Sequence, residues 1–89
     1  MSNNREFPRT PLKVRLRIEH PRHGTLLVNT RDISDTGVYV IIDDARSLLE
    51  EGEPVTGQVQ DLPIEAPILD MEVVRVELHG VGLRFLKTD

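Results

Sequence analysis

The chain has 89 residues, no cysteine and a formal net charge of -4. This length fits one domain, and the absence of cysteine excludes disulfides and thiolate metal sites. No apolar run is long enough to span a bilayer, and the polar segment Met1 to Thr10 is unlike a secretory signal. We therefore expect one cytoplasmic domain without membrane insertion.

The charge is distributed unevenly along the chain. Met1 to Arg31 carries seven basic and two acidic residues, a net of +5, whereas the remainder carries four basic and thirteen acidic residues, a net of -9. A basic segment on an acidic body favours a localised anion site. A nucleic-acid surface requires a more broadly basic domain and stacking aromatics, so we expect no nucleic-acid partner.

The first half of the chain predicts a polar arm and three strands. The arm, residues 1–11, contains two prolines and few apolar side chains, so it is expected to be flexible. Alternating or β-branched apolar residues predict the strands, and Gly, Pro, Asp and Ser mark the turns between them. In chain order these strands are Leu12–Glu19, Thr25–Ile33 and Val38–Ile42.

The second half predicts three more strands and at most one short helix. The helix covers Asp43–Glu51, with Asp43 or Asp44 as its cap and Gly52 as its end. The strands are Pro54–Gln60, Ile68–Glu77 and Val81–Leu86, with a proline-bounded loop at Pro63–Pro67. Six short strands at regular spacing predict an all-β antiparallel barrel or sandwich, here residues 12–89. Closing a barrel would remove exposed strand edges.

Two arginines in the arm are spaced RxxxR, at Arg5 and Arg9. The planar guanidinium suits phosphate because it donates two parallel hydrogen bonds, and its face can stack on a purine. Pro8 disfavours a helix through this segment, so the arginines are expected on extended or turning backbone. Taken alone, two arginines at this spacing are common.

The spacing DxSxxG occurs between two predicted strands, at Asp32, Ser34 and Gly37. In an extended segment Asp32 and Ser34 share a face. A carboxylate can accept hydrogen bonds from guanine N1–H and N2–H, and a serine hydroxyl can donate or accept. Gly37 would have positive φ or allow the backbone to approach a ligand closely. The same residues are also typical of a turn without a ligand.

With both motifs in this order, the sequence resembles the PilZ domain family, whose members pair an N-terminal RxxxR with a later (D/N)xSxxG. The resemblance continues through Leu48–Gly52, Val73–Val76 and Gly80–Phe85. It implies a bacterial second-messenger receptor with a six-stranded antiparallel barrel that binds cyclic di-GMP. Arg5 and Arg9 would contact phosphates and guanines, Asp32 and Ser34 would bind a guanine, and Gly37 would shape the turn.

Three further residues are candidate ligand contacts: Asn4, Arg31 and Arg84. Strand alternation predicts that Arg31 points away from the face of Asp32. The three histidines flank turns without metal-ligand spacing, and no nucleophile or phosphate-loop motif is present, so we expect no metal site, cofactor or enzyme activity.

The predicted function is a receptor whose arm changes conformation with cyclic di-GMP and signals to a downstream protein. The alternative is a PilZ-like adaptor that works by protein contact without binding nucleotide. The sequence leaves the downstream partner, the pathway, the number of ligands and the oligomeric state open.

Overall fold

A computed structural model describes residues 8–86 of the chain. Within this range the protein is all-β, apart from one 3-10 turn at Ala45–Ser47. The strands are β1 Thr10–Pro11, β2 Arg15–His20, β3 Gly24–Ile33, β4 Gly37–Ile41, β5 Pro54–Val59, β6 Leu69–Val76 and β7 Gly80–Phe85.

Strands β2 to β7 form a closed six-stranded antiparallel barrel, as predicted. The order around it is β3-β2-β5-β6-β7-β4, and β4 pairs back onto β3 to close it. Strand β3 is long enough to pair with two strands: its first half pairs with β2 and its second half with β4. The short β1 is an additional strand, paired with Asp32 and Ile33 of β3.

The core lies inside the barrel and is built from alternate positions of the strands. Strand β2 shows this pattern most clearly, because Leu16, Ile18 and His20 are buried whereas the residues between them are exposed. Alternation of this kind is expected for a sheet with one face in the core and one in solvent. The largest fully buried side chains are Ile18, Leu49, Met71, Val40, Val73, Val81 and Thr30.

The one helical candidate, Asp43–Glu51, forms only a single 3-10 turn, within the expected limit of at most one short helix. Only Ala45–Ser47 is helical, in 3-10 form. Asp44 has φ of 58°, and its carboxylate accepts from the Ser47 hydroxyl at 3.0 Å without capping a backbone amide of the turn. A left-handed residue at this position interrupts the helical backbone, and a helix of about two turns has little stability of its own. The segment instead contributes Ala45 and Leu49 to the core.

Strand β2 begins later than predicted because Thr30 holds the preceding segment against β3. The buried Thr30 hydroxyl donates to the carbonyl of Leu12 at 2.5 Å and accepts from the amide of Val14 at 3.0 Å. The backbone amide of Leu12 also donates to the carbonyl of Arg31 at 3.0 Å. These bonds join β1 and the start of β2 to the same strand. Thr10 and Pro11, within the predicted arm, are thereby placed beside Asp32.

No helix among residues 8–86 is long and apolar enough to cross a membrane.

Candidate functional site

The DxSxxG motif forms the connection between β3 and β4. The turn closes through a hydrogen bond from the amide of Ser34 to the carbonyl of Gly37, at 2.8 Å. The Ser34 hydroxyl accepts from the amide of Thr36 at 3.2 Å, a local bond typical of serine in turns. The turn residues Asp32 and Ser34 are thus held at one end of the barrel surface, next to β1.

Arg9 joins the two motifs, although it lies 23 residues before Asp32 in the sequence. Its Nε donates to Asp32 Oδ1 in an ion pair, and its Nη1 donates to Ser34 Oγ at 3.2 Å. Strand β1 explains this placement because it fixes Thr10 opposite Ile33 and Pro11 opposite Asp32. The structure therefore brings together three of the five predicted ligand residues through direct contacts.

Arg31 lies beside Asp32, and the prediction that it points to the opposite face is wrong. The pairing of β3 with β4 shifts between Thr30 and Asp32, so Arg31 is an extra residue in a bulge. A bulge interrupts the alternation of side chains and redirects the inserted one. Arg31 Nε donates to Asp32 Oδ2 at 2.7 Å.

Asp32 is thus a carboxylate with an arginine on each oxygen. Burial by itself would raise the pKa of Asp32, but hydrogen bonds from Arg31 and Arg9, together with their charges, lower it below its ordinary value. The side chain is 13% exposed, so it remains accessible at its edge. A carboxylate accepts up to about four hydrogen bonds, which leaves acceptor capacity for a further donor.

Tyr39 is a part of the site that sequence reasoning missed. It pairs with Asp32 across the β3–β4 hairpin, and the guanidinium carbon of Arg31 lies 3.9 Å from its ring centroid. Its hydroxyl donates to Glu77 Oε1 at 2.5 Å. Burial and then the Glu77 carboxylate raise the pKa of Tyr39. The hairpin spacing was the available signal, because a four-residue turn places Tyr39 opposite Asp32.

A surface depression of about 250 Å³ lies beside the turn, and Arg9, Arg31 and Tyr39 are among the residues that line it. This is smaller than most small-molecule sites, so a dinucleotide would extend beyond it. Arg84, one of the predicted additional contacts, lies on its rim and forms an ion pair with Glu72 of β6. The charged side chains that line the depression are Arg9, Arg31, Arg75 and Arg84.

Gly37 has a structural role that differs from one of its predicted roles. Its φ is not in the left-handed region; the glycines with positive φ among residues 8–86 are Gly24 and Gly52. Gly37 is required because a Cβ there would overlap the carbonyl oxygen of Leu83 on β7. The close approach is therefore between two strands, and it brings the turn against the Arg84 segment of β7.

Arg5 and Asn4 lie outside the described residues, as does Phe7. Their predicted contacts with the ligand stay predictions. Arg9 shows where the arm approaches the barrel, and Arg5 precedes it by four residues.

A larger groove of about 570 Å³ lies elsewhere on the barrel and is a poor site for an anion. It is lined by apolar side chains and by the acidic Glu19 and Asp70, without lysine or arginine. The imidazole of His20 at its edge is occupied on both nitrogens, by Glu53 and by two backbone amides. Within residues 8–86 no cluster of three or more potential metal ligands occurs.

The protein is a small closed β-barrel domain in which arginines surround a carboxylate beside one hairpin. Comparison with known proteins identifies its family. The PilZ domain model matches residues 3–89. The chain therefore belongs to the PilZ domain family, whose members are receptor or adaptor domains. No curated protein sequence matches the chain significantly.

Solved structures with the same fold include three bacterial proteins. The PilZ domain of YcgR from Escherichia coli, solved with c-di-GMP, has a TM-score of 0.77 and 17% identity, covering 98% of this chain and 81% of that one. The Bacillus subtilis inhibitor of motility MotI/DgrA has a TM-score of 0.74 and 16% identity, covering 99% of this chain and 45% of that one. The PilZ domain of CeSA from a cellulose-synthesizing bacterium has a TM-score of 0.72 and 19% identity, covering 92% and 83%. At these identities the likeness concerns the fold.

Proposed function

We propose that the protein is a cyclic di-GMP receptor that signals through its N-terminal arm. The observation that carries the proposal is the contact of Arg9 with Asp32 and Ser34, which joins the two family motifs at one place on the barrel. The YcgR structure, which contains c-di-GMP, has the same fold. A dianionic ligand with two guanines matches a site of arginines around one carboxylate.

In the proposed complex each motif residue has a distinct task. Arg5 and Arg9 bind the phosphates or stack on guanine, and Asp32 accepts from guanine N1–H and N2–H. Ser34 adds a hydrogen bond, and Gly37 holds the turn against β7. Arg31 and Arg84 add positive charge around the depression, and Asn4 adds a polar contact from the arm.

The arm would change its contacts when the ligand binds. Arg9 donates to Asp32 and Ser34 in the structure, and these are the acceptors that the guanine would use. The ligand must therefore share or displace these bonds, which repositions Arg9 and the residues before it. A downstream protein would recognise the new surface. We propose the cytoplasm as the location; the chain has no cysteine that would require an oxidising compartment.

Isothermal titration of the full chain with cyclic di-GMP tests this function. We expect a dissociation constant in the micromolar range or tighter, about 8 kcal/mol or more of binding free energy. Cyclic di-AMP is the matched control because adenine lacks the N1–H and N2–H donors that Asp32 would bind, so its binding should be much weaker. If no heat of binding is detected even at high micromolar cyclic di-GMP, the receptor function is contradicted and the adaptor that binds no nucleotide is favoured.

A further inference from the structure

We propose that Arg31, whose guanidinium lies over the ring of Tyr39, is a stacking platform for one guanine base of the bound dinucleotide. This inference rests on the proposed function and adds two residues that neither motif contains. It assigns the specificity for a ligand with two bases to a pair of side chains on β3 and β4.

The lower part of the platform is a rigid tyrosine. Tyr39 is only 8% exposed. Its ring runs across β7, where it lies against Gly80 so closely that a Cβ there would overlap the phenol. Its hydroxyl is fixed by the hydrogen bond to Glu77 at 2.5 Å. The ring is therefore held between its own strand and the hairpin that joins β6 and β7.

The upper part of the platform is the guanidinium of Arg31. At 3.9 Å from the ring centroid it is in van der Waals and cation–π contact with Tyr39. The Nε hydrogen bond to Asp32 Oδ2 at 2.7 Å fixes its rotation. The side chain is nevertheless 57% exposed. The guanidinium is thus supported by the ring and still exposed to solvent, and we infer that its outer face would stack on a planar group such as a purine.

The position of the platform suits the second base of the ligand rather than the first. Arg9 uses Asp32 Oδ1 and Arg31 uses Oδ2, and each oxygen retains acceptor capacity for guanine N1–H and N2–H. One guanine would bind at this carboxylate edge. The face of Arg31 lies beside that edge, in the same depression as Arg75 and Arg84. A ligand with two linked guanines can reach both positions.

Arg31→Lys tests the platform because lysine keeps the charge near Asp32 but lacks a plane. We expect cyclic di-GMP to bind the variant about tenfold more weakly than the wild type by calorimetry, a typical stacking contribution. Tyr39→Leu should give a similar loss and Tyr39→Phe a smaller one. Arg15→Lys is the matched control: Arg15 is a strand arginine paired with Asp61 and 53% exposed, and among residues 8–86 no aromatic ring lies beneath it. Wild-type affinity in the folded Arg31→Lys variant would overturn the platform.

Nuclear Overhauser effects provide a readout that a purely structural role would not give. In the wild-type complex we expect contacts between the Arg31 side-chain protons and a guanine H8 or ribose proton. Loss of affinity without these contacts would assign Arg31 to positioning Asp32 and overturn the stacking inference. Wild-type binding with an unaffected Arg31→Lys variant leaves the receptor function intact and rejects the platform alone, whereas absence of binding by the wild type rejects both.

Discussion

At the scale of single residues, Arg9 is the contact on which the proposed site depends. It donates to both Asp32 and Ser34 through different nitrogens, a geometry that the fork of a guanidinium allows and an ammonium does not. The same side chain is 42% exposed, so it is free to exchange a carboxylate for a phosphate. We therefore expect Arg9 to contribute more to ligand binding than to folding stability, because exposed ion pairs contribute little to folding.

Replacing Arg9 should weaken ligand binding specifically. We expect Arg9→Ala to lose about 2 kcal/mol of binding free energy, roughly thirtyfold in the dissociation constant. Arg9→Lys should recover only part of the loss, and both variants should unfold near the wild-type temperature. Arg22→Ala is the control, since Arg22 pairs with Glu53 away from the site. Equal losses from Arg9→Ala and Arg22→Ala would indicate general electrostatic attraction instead of a specific contact.

A second residue-scale feature, the pairing of Glu53 with His20, concerns stability. Backbone amides of Arg22 and His23 donate to His20 Nδ1 at 3.0 and 3.1 Å, so Nε2 carries the proton donated to Glu53 at 2.9 Å. The pKa of Glu53 is lowered by this bond, by the hydrogen bond from the amide of Glu50 and by the charge of Arg22, although burial acts to raise it. A carboxylate with a lowered pKa stabilises the fold above its ordinary pKa, and this stabilisation is lost as pH falls through the lowered value.

Glu53→Gln should therefore destabilise the protein in a pH-dependent manner. The amide can still accept from His20, so the variant removes the charge and keeps the hydrogen bond. At pH 7 we expect a loss of about 1 kcal/mol in the free energy of unfolding. The difference from wild type should shrink as the pH falls below 4.5, the ordinary pKa of glutamate. Urea unfolding at a series of pH values measures this, and a difference that stays constant with pH would contradict the electrostatic explanation.

At the scale of elements, the β4–β7 pair positions the turn from Ser34 to Gly37, which belongs to the proposed site. Gly37 lies opposite Arg84 in this pair, and a Cβ at Gly37 would overlap the Leu83 carbonyl. We expect Gly37→Ala to reduce the free energy of unfolding by about 2 kcal/mol, because neither backbone can move without disturbing the barrel. Gly82→Ala is a matched control on β7, where the added Cβ meets its nearest atom, in Arg75, at 3.4 Å.

Thermal unfolding of the two glycine variants, together with ligand titration of each, separates a role of Gly37 in strand packing from a role in ligand binding. If Gly37→Ala keeps wild-type stability and loses binding, Gly37 acts through the ligand and the strand-packing explanation is wrong.

The strands could be predicted from the sequence, but the irregular positions could not. Alternation in β2 and β-branched residues in β4 indicate strands because these patterns depend on burial on one or both faces. The bulge at Arg31 depends on the pairing of β3 with both β2 and β4. This pairing is a property of the closed barrel and is not visible in the local sequence. Likewise, Asp44 adopts a left-handed conformation where a helix cap was expected.

The candidate site was predictable to the extent that it consists of motif residues. The pairing of Arg9 with Asp32 follows from β1, a two-residue strand whose sequence, Thr-Pro, has no strand pattern. Thr30 anchors this region through hydrogen bonds to Leu12 and Val14, and such a contact requires knowledge of the tertiary fold. Tyr39 was identifiable from hairpin register, whereas its stacking with Arg31 depends on the bulge.

At the scale of the whole molecule, a small barrel presents a basic site on an acidic body. The overall charge is -4, yet the depression beside the turn is lined by Arg9, Arg31, Arg75 and Arg84. In the proposed function, this local concentration of positive charge would attract the anionic ligand to one face of the barrel. The larger apolar groove lies on another part of the barrel, with His20, Val55 and Met71 in its lining.

The most direct test of this account is an amide NMR titration of the full chain with cyclic di-GMP. We predict saturable shift changes concentrated at Arg9, Arg31, Tyr39 and the turn from Asp32 to Gly37, together with the arm residues from Asn4 onward. Amides around Val55 and Met71 should remain unchanged. Shifts confined to that groove, or no shifts at saturating ligand, would contradict the proposed site.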